Sequence, residues 1–480
     1  MVIRFPDGRA TTIDFREKGP SKSHERMFLD EVGKYRSEVH HQSHLAVGVP
    51  GTVAGFALAH EKYGSRTWDE LVAPAVRLAD EGFVVTPGLA KSLEETIGRF
   101  QKHPPTLAQF TKEGKPYQTG DLLVQKDLGK SLGRIREGGR AGFYEGETAE
   151  LFVAEMEREG GWITQEDLKE YAAVEREPVR GTFHGYEIIS MPPPSSGGTA
   201  LIEMLNVLEG YDLKGMGHNS PEYVHHLAEA MRIAFRDRAR FLADPDYAEV
   251  PIARLTSKKY AQKLRGGIKS DMASVSNPMD VEQAYESEQT THYSIVDAQG
   301  MAVAVTYTLE EEYGAAMIVP GAGFLMNNEM GDFNAGPGLT NAEGLIGTKP
   351  NLARSGQRML SSMTPTILVK EGRPAAVLGS PGGRGIINTV LQLVLNRVVF
   401  EMPGEEAVRA KRLHHQWLPD EIKIEEGLLD EAGRKRLEEM GHLISERESQ
   451  GRSHVIFFDA ESGEPIPVAD PRDEDASGGR

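Results

Sequence analysis

The most regular alternation in the chain runs from Met301 to Leu309. Ala302, Ala304, Thr306 and Thr308 fall on one side, and Val303, Val305, Tyr307 and Leu309 on the other, which predicts a strand. Thr291–Val296 reads as a second strand, with Asp297–Gly300 as the turn between them. The opening residues, MVIRFPDGRATTIDFRE, read as strand, Pro-Asp-Gly turn and strand. A further strand, Tyr186–Ser190, runs into PPPSSGG and then a helix over about Thr199–Leu208. Another hairpin is expected from Pro365–Lys370 and Pro374–Gly379, joined by Glu371-Gly372-Arg373.

Helical periodicity alternates with these strands. VGVPGTVAG opens an apolar, small-residue helix within His44–Tyr63. Ser220 is a good N-cap and Pro221 a good first residue for a long helix that places Leu227, Met231 and Phe235 on one face and stops before Pro245. After Ser380-Pro381-Gly382-Gly383 comes an apolar helix from Ile386 to about Phe400. Residues Lys269–Glu288 are polar and read as an exposed loop, and the acidic tail DPRDEDASGGR reads as disordered. The abrupt change at Glu288–Thr290 is not read as a domain boundary, because a strand pair there can share a sheet with what precedes it. The whole is one large α/β unit.

Composition narrows the function. Lys+Arg 54 against Asp+Glu 72 gives a net charge of -18 over 480 residues, which disfavours nucleic acid and anionic membranes as partners. With Cys 0, disulfides, thiolate catalysis and cysteine metal sites are excluded. No apolar run is long enough for a membrane helix, and the first residues have neither the basic nor the apolar region of a signal peptide. The pairs His40-His41, His225-His226 and His414-His415 are read as lacking the acidic partner four residues along that marks a metal-binding helix. His225 and His226 are placed at the surface or core edge, and neither metal nor cofactor is expected.

Five short segments could carry chemistry. Taken alone, each is better explained as turn, strand or surface. In QTTHYS a polar loop ends at a strand that begins with threonine. If the backbone were cut before Thr290, its hydroxyl would sit beside a free α-amino group able to act as its base. Gly382-Gly383, ahead of a helix, could present two backbone N–H groups to a developing alkoxide. Glu329 and Asp332, in NNEMGDF, could act as an acid and base pair or bind an ammonium. Ser361 and Ser362, in MLSSMTP, supply hydroxyls before a strand. Arg16, followed by Glu17, has the fork that clamps a carboxylate.

Together these segments resemble the gamma-glutamyltranspeptidase family. The matching stretches are DFREKGP, SHLAVGVPGTVAGFALAHEKYG, PPPSSGGTALIEMLNVLEGYDL, TTHYSIVDAQGMAVAVTYTL, LMNNEMGDF, MLSSMTPTI and GSPGG, in the family's order and over nearly the whole chain. The resemblance implies a four-layer αββα sandwich of the N-terminal-nucleophile (Ntn) hydrolase type. It implies a precursor that cuts itself between Gln289 and Thr290 into a large part, 1–289, and a small part, 290–480, which stay together as one domain. It makes Thr290 the nucleophile, supported by Thr308. It assigns the donor's α-carboxylate to Arg16, Ser361 and Ser362, its α-ammonium to Glu329 and Asp332, and the oxyanion hole to Gly382 and Gly383. The implied reaction passes a γ-glutamyl group from glutathione or related donors to water, an amino acid or a dipeptide, in a periplasmic or extracellular setting. The alternatives are an amidase like the cephalosporin acylases, acting on a glutaryl-type donor, and a non-catalytic relative.

Three departures from the family pattern stand out. Glu310 replaces an asparagine two residues past Thr308, which would put a third carboxylate beside the ammonium unless it turns outward with Glu311 and Glu312. Glu343 stands where members with a gating lid often carry an aromatic. The chain also reads as starting late, without the family's N-terminal helices and glycine-rich segment.

Overall fold

The structure is a computed structural model that describes residues 1–277, 290–339, 341–342 and 347–473. Two sheets form its centre. The first contains β1 (Val2–Arg4), β2 (Ala10–Asp14), β3 (Val174–Arg176), β6 (Thr291–Val296) and β7 (Ala302–Tyr307), in the order β6-β7-β1-β2-β3. The second contains β4 (Val179–Phe183), β5 (Tyr186–Ser190), β8 (Thr366–Lys370), β9 (Arg373–Leu378), β10 (His454–Phe458) and β11 (Pro465–Ala469), in the order β11-β10-β9-β8-β5-β4. Every neighbouring pair in both sheets is antiparallel.

Period-two alternation lets each sheet bury both faces. Val2, Ala302 and Ala304 from the first sheet meet Ile189, Ile367 and Val377 from the second. On the outer face of the first sheet, Ile3, Ile13, Phe15 and Val305 pack with Leu58, Ala59 and Tyr63 of α1 (Thr52–Tyr63). On the outer face of the second, Ile188, Leu368 and Leu378 pack against α2 (Gly197–Leu208), α3 (Pro221–Phe241) and α4 (Gly385–Val398). Leu227, Met231 and Phe235 lie in this core, but α3 is buried on nearly every side rather than on one face. Each such aliphatic or aromatic side chain contributes about 1.5–3 kcal/mol on burial. The result is helix, sheet, sheet, helix: the αββα sandwich. Residues on both sides of position 290 build both sheets, and β7 pairs directly with β1 through Val2↔Ala304 and Ile3↔Val303. Among the described residues, no helix is long and apolar enough to cross a membrane.

The strands fall where the alternation places them, and α2 and α4 lie within two residues of expectation. Three readings change. The polar stretch from Lys269 is not simply an exposed loop. The Ser274 N–H donates to Glu229 Oε1 at 3.0 Å, and buried Ser276 donates its N–H to Asp420 Oδ2 at 2.7 Å. Residues 278–288 of that stretch lie outside the described residues. The tail begins in the core, where buried Asp470 accepts from Arg412 at 2.7 Å and from the Ser453 N–H at 2.8 Å. Residues 474–480 lie outside the described residues. Finally, His225 and His226 are buried, and Glu229, four residues after His225, is the acidic partner the sequence reading denied.

Candidate active site

The β6–β7 register sets the nucleophile's position. Thr291 pairs with Tyr307 and His292 with Thr306, so one step further Thr290 stands opposite Thr308. Below them the buried His292 ring binds Thr306 Oγ1 through Nδ1 at 2.8 Å. Burial pushes its pKa down to about 3, so the ring is a neutral strut. Thr308 Oγ1 accepts the Glu310 N–H at 2.9 Å, which holds the turn leaving β7.

His292 also connects β6 to the glycine pair. A Cβ on Gly379 would lie 2.0 Å from the His292 ring, so only glycine lets β9 end this close to the start of β6. Three residues on, Gly382 (φ +127°) and Gly383 (φ +49°) take left-handed backbone just before α4. That conformation suits glycine and lets N–H groups face outward from a helix start.

Arg16 leaves β2 with its backbone fixed at both ends. Its N–H donates to Asp14 Oδ1 at 3.0 Å, and its carbonyl accepts from Tyr171 Oη at 2.8 Å. The buried guanidinium contacts Glu329 through one nitrogen and Asp332 through another, and lies 3.8 Å from Glu17. Glu329 and Asp332 share a single 3-10 turn, Glu329–Asp332. Asn327 anchors this turn: its Oδ1 accepts the Glu329 N–H at 3.0 Å, and its side chain pairs both ways with Gly48 at 2.9 Å. Asn351 Nδ2 holds the Asp332 carbonyl at 2.8 Å.

Ser361 and Ser362 are set by the PPPSSGG segment. The Ser361 carbonyl accepts from Ser196 N at 2.7 Å and Ser196 Oγ at 2.6 Å, and the Ser361 N–H donates to the Pro194 carbonyl at 3.0 Å. Arg238 on α3 donates to Ser196 Oγ at 2.8 Å and to Ser362 Oγ at 3.0 Å. A cavity lined by Arg16, Glu17, Tyr307, Thr308, Ser361 and Met363, among others, brings three of the predicted site residues onto one surface.

The charges around Arg16 do not balance. Burial is the largest effect on Glu329 and pushes its pKa well above the usual carboxylate range. Arg16 opposes this, while Glu17, Asp332 and Glu310 add to it. Burial likewise raises Glu17 to about 7 against the pull of Arg16. Burial works against the Arg16 charge as well, but its carboxylate neighbours outweigh it and raise the Arg16 pKa. One guanidinium faces four carboxylates, so their titrations are linked and belong to the cluster rather than to one residue.

Glu310 does not turn outward with its neighbours. It is 3% exposed, and His41 Nδ1 lies 3.4 Å from its Oε1. Glu311 instead pairs with Arg99 at 2.9 Å, and Glu312 accepts from Ser92 Oγ at 2.7 Å. A Cβ built on Gly331 would lie 3.0 Å from Glu310 Oε1, so the carboxylate rests against the Glu329–Asp332 turn. Sequence reasoning missed His41, Asn327, Asn351 and Arg238. The doubled asparagine of NNEMGDF was a usable signal for Asn327; a dispersed arginine such as Arg238 gave none. Gln289 and Glu343 lie outside the described residues.

A model of the gamma-glutamyltranspeptidase family matches residues 1–479. The chain belongs to the gamma-glutamyltranspeptidase family. The Escherichia coli glutathione hydrolase proenzyme is 45% identical over 479 residues, which is 99% of this chain and 82% of that protein. The Helicobacter pylori gamma-glutamyltranspeptidase structure is 43% identical, with a TM-score of 0.56 over 57% of this chain and 79% of that one. The cephalosporin acylase from Bacillus halodurans superposes with a TM-score of 0.81 over 98% of this chain and 84% of its own, at 24% identity, and so shares the fold. The family resemblance seen in the motifs therefore holds across the transpeptidase chain, and so does the Ntn-hydrolase sandwich.

Proposed function

We propose that this gamma-glutamyltranspeptidase takes the γ-glutamyl group of glutathione and related donors and passes it to water, an amino acid or a dipeptide, with Thr290 as nucleophile. Arg16 carries this reading: a buried cation in contact with two acids, Glu329 and Asp332, on a cavity shared with Thr308. A γ-glutamyl donor bears a carboxylate and an ammonium on one carbon, the charge pair such a cluster complements.

In this scheme the Gln289–Thr290 bond is first cut, which gives Thr290 a free α-amino group. The amine takes the hydroxyl proton as Thr290 Oγ attacks the γ-carbonyl carbon. The Gly382 and Gly383 N–H groups receive the oxyanion, a contribution of about 3 kcal/mol per donor. The donor carboxylate binds Arg16, Ser361 and Ser362, and its ammonium binds Glu329 and Asp332. As the tetrahedral intermediate collapses, the C–N bond breaks and the Thr290 ammonium protonates the departing amine. Water or an acceptor amine then attacks the threonyl ester and restores the hydroxyl. Residues 1–289 and 290–480 stay associated after the cut because both sheets draw on each part. The proposal extends to a periplasmic or extracellular site of action, to be checked by fractionating cells and probing for the two fragments.

A glutaryl-specific acylase on the same fold is the competing chemistry. Comparing γ-glutamyl-p-nitroanilide with glutaryl-p-nitroanilide tests the choice. Preference for the first by at least tenfold in kcat/KM is expected. Equal or reversed preference would overturn the reading.

A further inference from the structure

Outside this site the second sheet's helical layer holds an unused group of donors. His225 and Glu229 lie one turn apart on α3, and His442 follows a helix spanning Glu431–Glu439. All three are buried, and one ligand-capable atom of each lies within 4.8 Å of the others. His225 Nε2 is 2.6 Å from the Lys269 carbonyl, so its proton sits on Nε2 and its Nδ1 accepts from His442 Nε2 at 2.8 Å. An ion would replace this hydrogen bond once the His442 proton moves to Nδ1, which is buried and has no partner. A backbone carbonyl holding the far ring nitrogen is the arrangement that orients metal-ligating histidines. Glu229 uses one oxygen only: Oε1 accepts from Ser274 N at 3.0 Å and Arg232 Nε at 3.2 Å, while Oε2 is buried without a partner.

Glu229 is held in place by the Ser274 N–H and by Arg232 Nε, both on its Oε1. Arg232 does not fully cancel the Glu229 charge, because its other end binds Asp420 and donates to Ser276 Oγ at 2.7 Å.

We infer that His225, Glu229 and His442 form a site for a divalent transition-metal ion of the zinc class. Two imidazoles and a carboxylate are a zinc donor set, and imidazole nitrogens disfavour magnesium and calcium. Zinc–nitrogen bonds of about 2.0–2.1 Å in a tetrahedron separate two nitrogens by roughly 3.3 Å, so the rings need part by only about half an ångström. The ion would clamp α3, the Lys269–Ser276 segment and His442. If the chain is cut before Thr290, it would thus tie the end of the large part to the small part.

The test uses the full protein, stripped with a chelator and then supplied with zinc or cobalt. About one zinc per chain retained through dialysis, a rise in melting temperature, and intense visible Co²⁺ bands from tetrahedral N/O ligation are expected. Glu229→Gln, which keeps the shape of the side chain, and His442→Gln should each lose at least tenfold in zinc affinity. Their metal-free melting, followed by circular dichroism, reports whether they fold. The cobalt spectrum of the unaltered protein stands even if a variant does not fold. No retained zinc and no cobalt bands in that protein, or equal affinity in folded variants, would overturn the site.

Discussion

Thr290 stands opposite Thr308 because the antiparallel register that pairs Thr291 with Tyr307 continues one residue beyond the ladder. This relationship makes a first prediction. Thr290→Ala should stay a single chain on a denaturing gel and lose activity. Thr308→Ala should still cut, but more slowly, since it removes only a neighbouring hydroxyl. Cutting of the Thr290→Ala protein at the same bond would show that another group does the work.

The second prediction concerns Asp332, whose carboxylate contacts Arg16. Asp332→Ala should weaken γ-glutamyl donors by roughly 2–5 kcal/mol, because a desolvated ammonium loses its partner. A glutaryl amide has no ammonium and should lose far less. Parallel kcat/KM losses for both substrates would remove Asp332 from ammonium recognition.

Much of this was legible in the chain, for a physical reason. Strands declare themselves through period-two alternation, so Ala302 and Ala304 could be assigned to one face and Val303 and Val305 to the other, and they pack that way. The site motifs are short and local, so they could be read from neighbouring residues alone. What stayed hidden depends on distant residues. Nothing near Arg16 says that its guanidinium meets acids more than three hundred positions away. The run Glu310-Glu311-Glu312 reads as one solvated face, yet the left-handed backbone at Glu310 (φ +81°) separates the three side chains. Glu310 goes inward, Glu311 to Arg99 and Glu312 to Ser92. The buried start of the tail at Asp470 was hidden in the same way, since its partner Arg412 lies far back in the chain.

The third prediction follows from Glu17. Burial raises its pKa from 4.5 to about 7 in the folded protein. A raised carboxyl pKa gives stability that is fully present below the unfolded value and lost as pH rises through the folded one. The wild type should therefore lose stability relative to Glu17→Gln between about pH 4.5 and 7. The loss is shared with Glu329, whose raised carboxyl lies in the same cluster, so its direction with pH is what the comparison reads. Urea unfolding of both proteins across this range measures it. A constant difference between them would mean that Glu17 is already charged in the folded state.

The last prediction concerns Glu310, where the family pattern has a neutral asparagine. Its carboxylate rests against the Glu329–Asp332 turn and is one of the charges that raise Glu329. Its neighbour His41 offers little compensation, because burial lowers the imidazole pKa and leaves the ring mostly neutral. Under the proposed mechanism, Glu329 must be ionised to meet the donor ammonium. Its raised pKa means that a fall in pH protonates it early, so KM for a γ-glutamyl anilide should climb as the solution becomes acidic. Glu310→Asn removes one repulsive charge and lets Glu329 keep its ionised form to lower pH. The rise in KM should then begin at a lower pH in the variant, while kcat at neutral pH changes less than KM. The measurement is KM between mildly acidic and neutral pH in both proteins. Superimposable profiles would mean that the Glu310 charge does not reach the donor site, despite its position against the turn.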